Sequence, residues 1–291
     1  MNNNIPCFLH IPRSGGTYLL YKSSEFLRLY GLKNNWNSKL NWNLGIRLVF
    51  VTFSGKTIFT AIVYDDLQSY KTNKNFQPIY GPYSDIIEYK YFLEACKEEK
   101  FLISSIAIES DGAHLISSNF FTNFLNSIGL KPIYYSTLRE PYDRAISLYS
   151  YINSPSSNHE PTHNLIKSKS IYDYLSSYEL EDSWLIRVLT QIPDNQEINE
   201  EIFQNACKIL DPFIIRDMSK IDELIHEVFS KKYSDAKEIL NELKSKTNFY
   251  KNRSENEKRP EFSDLDFDTK QFFLNRKKYD IRLYNRYTGN K

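Results

Sequence analysis

The sequence predicts an α/β protein in which a P-loop-like parallel sheet is flanked by helices, with a helical C-terminal part. Three observations predict this fold. The glycine-rich stretch PRSGGT (12–17) joins an apolar, strand-like run to a run with helical periodicity. Two further apolar runs, at 101–108 and 131–138, are separated by helix-like sequence, and such alternation is typical of a parallel sheet. Residues 171–243 are mostly helix-like. We expect one domain over 1–291, because no linker or internal repeat divides the chain.

The N-terminal third predicts a strand–loop–helix unit followed by a hairpin. Residues 5–10 (IPCFLH) predict a short buried strand, and 17–30 place apolar residues at helical spacing. Residues 47–67 contain two β-rich runs around a Ser-Gly turn, which predicts a hairpin. We expect irregular structure over 31–45 and a loop over 68–88, because both tracts are polar.

The later elements follow from periodicity and from start and stop signals. Gly129 is placed to end a helix, and Pro141 is placed to open one, since proline suits the first helical turn. The expected elements are a helix over 89–99, strands over 101–108 and 131–138, a helix over 115–129, a helix over 141–151, a polar loop over 154–170, mostly helix to about 243, and a last helix around 268–287.

The composition excludes several classes of protein. A formal net charge of +1 argues against the broad basic surface that nucleic acids or anionic membranes require. No apolar run approaches the roughly 18 residues of a membrane span, and the N-terminus lacks the pattern of a signal peptide. The three cysteines are widely spaced, which fits a reducing compartment. We therefore expect a cytoplasmic protein with no nucleic-acid partner and no membrane span.

The stretch PRSGGT can form an anion-binding loop. Successive backbone N–H groups in such a loop can point at one anion, and the following helix adds its positive N-terminal end. Gly15 and Gly16 permit close approach, Arg13 supplies charge, and Ser14 and Thr17 supply hydroxyl donors. The alternative is a Gly-Gly turn that only links a strand to a helix.

The stretch SGKT (54–57) superficially resembles the end of a nucleotide-triphosphatase loop. That motif needs a glycine five residues before Gly55, where this chain has Phe50, and it needs a following helix, where this chain has the β-like run TIFTAIVY. We interpret SGKT as a hairpin turn.

A second informative stretch is TLREPYDRAIS (137–147). Arg139 follows a predicted strand, at the edge where open α/β sheets bind ligands, and Ser147 lies two turns into the next helix. An arginine there offers a bidentate fork for a phosphate. The alternative is a strand-end arginine that pairs with Glu140 or Asp143.

Together the two stretches resemble the sulfotransferase family, particularly its glycan branch, which includes the heparan sulfate sulfotransferases. In that family a loop P-K/R-T/S-G-G/T-T holds the 5′-phosphosulfate of 3′-phosphoadenosine 5′-phosphosulfate (PAPS), and a motif T-L-R-D/E-P-x-x-R-x-x-S holds its 3′-phosphate. The resemblance also extends weakly to residues 181–190 and 275–287. It implies the following cofactor-binding residues: Arg13, Ser14, Gly15, Gly16, Thr17 and Tyr18 at the 5′ end, Arg139 and Ser147 at the 3′-phosphate, and Arg253 in a basic covering loop.

The resemblance implies transfer of a sulfuryl group from PAPS to an acceptor hydroxyl, leaving 3′-phosphoadenosine 5′-phosphate (PAP). Arg13 then occupies the place of the family lysine that stabilises the leaving phosphate. Its guanidinium keeps the charge and adds a donor, but it cannot act as a general acid.

The acceptor hydroxyl needs a base, which in the family is a His or Glu after the strand that precedes the 3′-phosphate motif. Here Glu109, Asp111 and His114 are candidates, with Glu109 favoured by position and His114 by its ordinary pKa. The alternatives are an ion-paired carboxylate for Glu109 and a polar turn residue for His114. His10 is expected to be a packed or orienting residue.

No metal is expected. The stretch HEPTH (159–163) superficially suggests a metal site, but Pro161 argues against the helical face that such a site needs.

We expect the acceptor to be a carbohydrate or another small hydroxylated molecule, with the variable tracts 31–100 and 154–180 forming the acceptor side. Two alternatives remain. One is a non-catalytic nucleotide- or glycan-binding module of the same fold. The other is an ATP-dependent phosphotransferase, which is disfavoured because no Lys-Ser/Thr follows the glycines and no Mg²⁺-binding aspartate is evident.

Overall fold

The structure, a computed structural model, describes residues 3–33, 46–65, 77–78, 84–98, 101–109, 112–154, 161–233, 236–246 and 260–289. The strands in these ranges are β1 (Asn4–Leu9), β2 (Ile46–Phe53), β3 (Lys56–Asp65), β4 (Gln77–Pro78), β5 (Ser84–Glu88), β6 (Phe101–Ile108), β7 (Lys131–Leu138) and β8 (Ile214–Asp217). They form one sheet in the order β4-β5-β2-β3-β6-β1-β7-β8.

The sheet is mixed, which corrects the parallel sheet expected from the sequence. In one half, β6, β1, β7 and β8 run parallel to one another. In the other half, β3 is antiparallel to both β2 and β6. The Ser54–Gly55 turn explains the antiparallel pairing of β2 with β3, because neighbouring strands joined by a tight turn must be antiparallel. The α/β class itself is confirmed.

The helices of the described ranges flank this sheet. They are α1 (Gly16–Lys33), α2 (Tyr89–Lys97), α3 (His114–Ser117), α4 (Phe120–Ser127), α5 (Pro141–Ile152), α6 (Pro161–Lys167), α7 (Ile171–Leu175), α8 (Trp184–Thr190), α9 (Glu200–Leu210), α10 (Ile221–Ser230), α11 (Ala236–Lys246), α12 (Phe267–Arg276) and α13 (Lys278–Thr288). Within the described residues, no helix combines the length and hydropathy that crossing a bilayer requires.

Two predicted loops contain regular structure. The tract 68–88 includes β5, which pairs parallel with β2 and so satisfies its backbone groups in the sheet. The tract 154–170 includes α6, which begins at Pro161; proline is compatible with a first helical turn and opens this helix.

Two predicted helical tracts are interrupted. The helix expected over 115–129 is two helices, α3 and α4, because Asn119 adopts a left-handed conformation between them (φ 57°). The helix-like tract after 171 contains the strand β8, which extends the sheet beyond β7. The last helix, expected around 268–287, is divided into α12 and α13 at Lys277.

The strand β1 is buried on both faces. Ile5, Cys7 and Leu9 belong to one hydrophobic core, whereas Phe8 belongs to a second core together with Leu19 and other residues of α1, α10 and α11. Alternate side chains of a strand face opposite sides of a sheet, so a strand covered by helices on both sides is apolar throughout. This burial fixes the position at which the chain leaves β1.

The carboxyl ends of four parallel strands meet at one edge of the sheet. Leu9 at the end of β1 pairs with Ile108 of β6 and Ser136 of β7, and Leu138 of β7 pairs with Asp217 of β8. In open α/β sheets this edge is where ligands bind.

Candidate functional site

The stretch PRSGGT forms a compact loop between β1 and α1. The backbone N–H of Ser14 donates to the carbonyl oxygen of Ile11 (3.2 Å), and the helix begins at Gly16. Arg13 and Gly15 adopt left-handed conformations, with φ of 66° and 84°. The loop therefore lies at the positive end of an 18-residue helix, where an anion is stabilised.

Close packing requires both glycines of this loop. A Cβ atom at Gly15 would lie 2.7 Å from Cδ1 of Ile221 and 2.9 Å from Cγ of Met218. A Cβ atom at Gly16 would lie 2.1 Å from Cδ2 of His10. The neighbouring side chains therefore contact the loop backbone directly, which an ordinary connecting turn does not need.

The second motif, at the end of β7 and in α5, holds the loop by its carbonyl groups. Thr137 Oγ1 donates to the carbonyl oxygen of Ser14 (2.6 Å), and Arg144 Nε donates to that of Pro12 (3.2 Å). Arg139 Nη1 reaches the carbonyl oxygen of Arg13 at 3.5 Å, a weak hydrogen bond. Residues from the two sequence motifs thus form one site.

The side chain of Arg13 points toward α5. Its Nη2 donates to Ser147 Oγ at 3.4 Å, and its Cζ lies 4.6 Å from the centre of the Tyr151 ring, a cation–π geometry. Arg139 reaches the backbone of the same loop, so the site includes two guanidinium groups and the hydroxyl of Ser147. Such a donor set suits a phosphate or a sulfate.

Ser14 contributes a buried hydroxyl. Its side chain is 1% exposed, and Ser14 Oγ has no hydrogen-bond partner among the described residues. It lines a small cavity of about 30 Å³, together with Arg139, Lys277 and Tyr284. A buried polar atom without a partner costs free energy, so this hydroxyl is suited to a further ligand atom or water.

Two ion pairs lie next to the loop and its partner helix α5. Arg144 Nη1 binds Glu181 Oε2 at 2.8 Å, and Lys277 Nζ binds Asp280 Oδ2 at 3.1 Å. Burial alone would raise the pKa of Glu181, but the charges of Arg144 and Lys277 together lower it. Glu181 thus holds Arg144 in the orientation that binds Pro12.

Glu109 follows β6 and is held by two side chains. His10 Nδ1 lies 2.8 Å from Glu109 Oε2, and Thr60 Oγ1 donates to Glu109 Oε1 at 2.8 Å. Both the histidine and the carboxylate are partly exposed, at 25% and 21%. Because Leu9 pairs with Ile108, the next residues of the two parallel strands, His10 and Glu109, lie side by side. This pairing was not predicted, although equal offsets after two adjacent strands could have indicated it.

The other predicted site residues divide into two groups. Thr17 and Tyr18 lie in the first turn of α1, and Lys22 Nζ lies 5.4 Å from the Tyr18 ring. His114 is the first residue of α3 and is partly buried. Asp111 and Arg253 lie outside the described residues, as does His159 of the stretch HEPTH, where no site was expected.

In the part of the chain that the structure describes, no three His, Cys, Asp or Glu residues lie close enough together to hold a metal ion. Comparisons of the chain with protein-family models, curated proteins and solved structures find no match.

Proposed function

We propose that this protein is a PAPS-dependent sulfotransferase that transfers a sulfuryl group to an acceptor hydroxyl. One observation carries the proposal: TLREPYDRAIS and PRSGGT, far apart in sequence, contact each other at the carboxyl edge of the parallel strands. Thr137, Arg139 and Arg144 bind the loop carbonyls, while Ser147 contacts Arg13. This is the arrangement expected of a site for a nucleotide with phosphates at both ends.

The residues present fit such a nucleotide. Gly15 and Gly16 let the side chains of Ile221, Met218 and His10 pack directly on the loop. The loop also precedes the N-terminus of α1, where backbone N–H groups bind anions. Ser14 offers a hydroxyl that has no partner among the described residues. The cationic groups of Arg13 and Arg139 supply charge-assisted hydrogen bonds.

Each of these residues has a role in the proposed reaction. When bound, PAPS supplies the sulfuryl group and a phosphate leaving group. The loop N–H groups and Arg13 stabilise the negative charge that develops on the leaving phosphate. Arg139 and Ser147 bind the 3′-phosphate, which fixes the position of the nucleotide. Arg13 remains charged throughout, so it stabilises charge without donating a proton.

Glu109 is the proposed general base. Its carboxylate accepts the proton of the acceptor hydroxyl as the new O–S bond forms and the bond from sulfur to the leaving phosphate breaks. Glu109 lies at the same sheet edge as the loop, since β6 and β1 are adjacent and parallel. The acceptor is proposed to be a carbohydrate or another small hydroxylated molecule, as the resemblance to the glycan branch implies.

Ligand binding tests the proposed cofactor. We expect PAP to raise the Tm of the protein and ATP with Mg²⁺ to raise it less, because the site holds a second phosphate through Arg139 and Ser147. Ser147→Ala should reduce the shift with PAP, and Lys56→Ala, in the hairpin turn, should leave it unchanged. No shift with PAP, or a larger shift with ATP, would overturn the proposal in favour of a different nucleotide.

Transfer of labelled sulfate from PAPS to a panel of glycans and small hydroxylated acceptors tests the reaction. We expect a labelled product with at least one acceptor class, and a kcat that is lower by about 1,000-fold but still measurable in Glu109→Gln. Binding of PAP without transfer to any acceptor would instead favour the non-catalytic binding module. If His114→Ala abolishes transfer and Glu109→Gln does not, the base is His114.

A further inference from the structure

The ring of His10 lies between the glycine loop and the carboxylate of Glu109. The ring packs on Gly16, where no Cβ atom could fit, and it also lies near the ring of Phe8, with ring centres 5.9 Å apart. The backbone N–H of His10 also donates to the carbonyl oxygen of Ile108 (2.9 Å), next to Glu109. The ring therefore has little freedom to move independently of the loop.

Glu109 is bound at both of its oxygens. Thr60 Oγ1 donates to Oε1, and His10 Nδ1 lies at hydrogen-bond distance from Oε2. An ionised carboxylate only accepts hydrogen bonds, so a contact between His10 Nδ1 and ionised Glu109 requires Nδ1 to be the donor. Each oxygen keeps a lone pair, and the two contacts fix the plane of the carboxylate.

From this geometry we propose that His10 is a positioning residue: it orients Glu109 and makes that orientation depend on the conformation of the glycine loop. The inference rests on the proposed function, in which Glu109 is the base. A base must lie within hydrogen-bond reach of the proton it accepts, and a misplacement of about 1 Å can cost roughly 100-fold in rate. Because Gly16 contacts the ring, an anion that orders the loop also orders the carboxylate.

Two substitutions separate the hydrogen bond from the packing. His10→Phe keeps a ring against Gly16 but removes the donor, whereas His10→Asn places an amide N–H near the position of Nδ1. We expect His10→Phe to lower kcat by about 100-fold with little change in the Kd for PAP, and His10→Asn to retain activity within about tenfold of the wild type. His226→Phe, in α10, is the matched control and should leave kcat unchanged.

A double-mutant cycle distinguishes positioning from a general structural role. If His10 acts through Glu109, adding His10→Phe to Glu109→Gln should cause no further loss of kcat. An additional loss as large as that in the wild-type background would overturn the proposal. So would equal activities of His10→Phe and His10→Asn, or a wild-type kcat in His10→Phe.

A readout independent of activity tests the contact itself. The ¹⁵N chemical shifts of the imidazole report which nitrogen carries the proton. We expect the Nδ1–H form for neutral His10 in the wild type, and a change in these shifts in Glu109→Gln. A predominant Nε2–H form in the wild type would overturn the positioning role even if sulfuryl transfer occurs. If the Nδ1–H form is found but no acceptor is sulfated, the proposed function fails and the pairing stands.

Discussion

The chain contains two Ser-Gly turns, one in PRSGGT and one in SGKT, and their surroundings differ. Each contains a non-glycine residue with positive φ (Arg13, 66°; Ser54, 51°) and a glycine with positive φ (Gly15, 84°; Gly55, 79°). The backbone of PRSGGT contacts its neighbours so closely that no Cβ could be added at either glycine, whereas nothing lies within 4 Å of a Cβ at Gly55. Similar local sequence and conformation therefore occur in a packed site and in an exposed turn.

The difference shows how a loop that is held by a distant segment differs from a connecting turn. The SGKT turn only reverses the chain between β2 and β3, and Ser54, Gly55 and Lys56 are exposed. The PRSGGT loop is held by side chains of a distant segment, through the carbonyl groups of Pro12, Arg13 and Ser14. Hydrogen bonds from side chains elsewhere in the chain fix the conformation of the loop, which the local sequence alone does not determine.

Matched alanine substitutions at the two glycines give the largest expected contrast. Gly15→Ala introduces both left-handed strain and a clash with Ile221 and Met218, which should lower the free energy of unfolding by about 3 kcal/mol. Gly55→Ala introduces strain alone and should cost about 1 kcal/mol. Urea denaturation measures both. Equal losses would mean that the packing around the loop contributes nothing.

The two turns should also differ in ligand binding. Arg139→Ala removes a charged donor beside the loop and should raise the Kd for PAP by roughly 30-fold, since a hydrogen bond to a charged group contributes about 2 kcal/mol. Lys56→Ala removes a charge from the SGKT turn and should leave that Kd unchanged. Isothermal titration calorimetry provides the comparison. A similar weakening in both variants would show that binding depends on overall charge.

A smaller effect is expected from Arg13→Lys. Lysine keeps the charge, but it loses the planar fork that reaches Ser147 and stacks on Tyr151. We expect the Kd for PAP to rise about fivefold, because the electrostatic part of the interaction remains. Arg28→Lys makes the same substitution at an exposed position of α1 and serves as the control. A Kd unchanged in Arg13→Lys would mean that the fork geometry is not used.

The smallest expected effect is a difference in stability at acidic pH, and it concerns the ion pair between Glu181 and Arg144 beside the loop. The folded-state pKa of Glu181 is lowered by Arg144 and Lys277 against the effect of burial, so the unfolded state binds more protons. Its stabilising contribution is present above the unfolded pKa of about 4.3 and is lost as the pH falls through the lower folded pKa. The free energy of unfolding should fall less steeply below about pH 4.3 in Glu181→Gln than in the wild type. Parallel slopes would show that the ion pair does not couple to folding.

Strong periodicity and clear turn signals made much of the fold predictable. The structure confirms the strands at 101–108 and 131–138, the hairpin and the helix at Pro141. Each of these elements has an apolar run, a turn signal or a helix-start signal in its own sequence. The strand β8 was missed because four residues within a helical tract carry no periodicity, and only pairing with β7 makes them a strand. The strand β5 was also missed, because its polar surroundings indicate a loop and only its pairing with β2 makes it a strand.

The candidate site was predictable where a motif spans adjacent residues. The motifs indicated Arg13, Ser14, Arg139 and Ser147, and the structure brings these residues together. His10 and Glu109 each directly follow a strand, but their contact depends on β1 and β6 being neighbours in the sheet, which no local pattern specifies. The support from Lys277 and Asp280 depends on the packing of α13 against the sheet edge, which is equally non-local.

The central position of β1 has a consequence for how the chain folds. Cys7 pairs with Ile106 and Tyr134, roughly a hundred positions later in the chain. Contacts of such high sequence separation form slowly, because the loop-closure entropy is lost before the pairing compensates for it. At a synthesis rate of about 5–20 residues per second, the strands that pair with β1 are synthesised on the order of ten seconds after β1. We therefore expect the apolar segment IPCFL to be exposed in the nascent chain until β7 emerges, which makes it a target for chaperones.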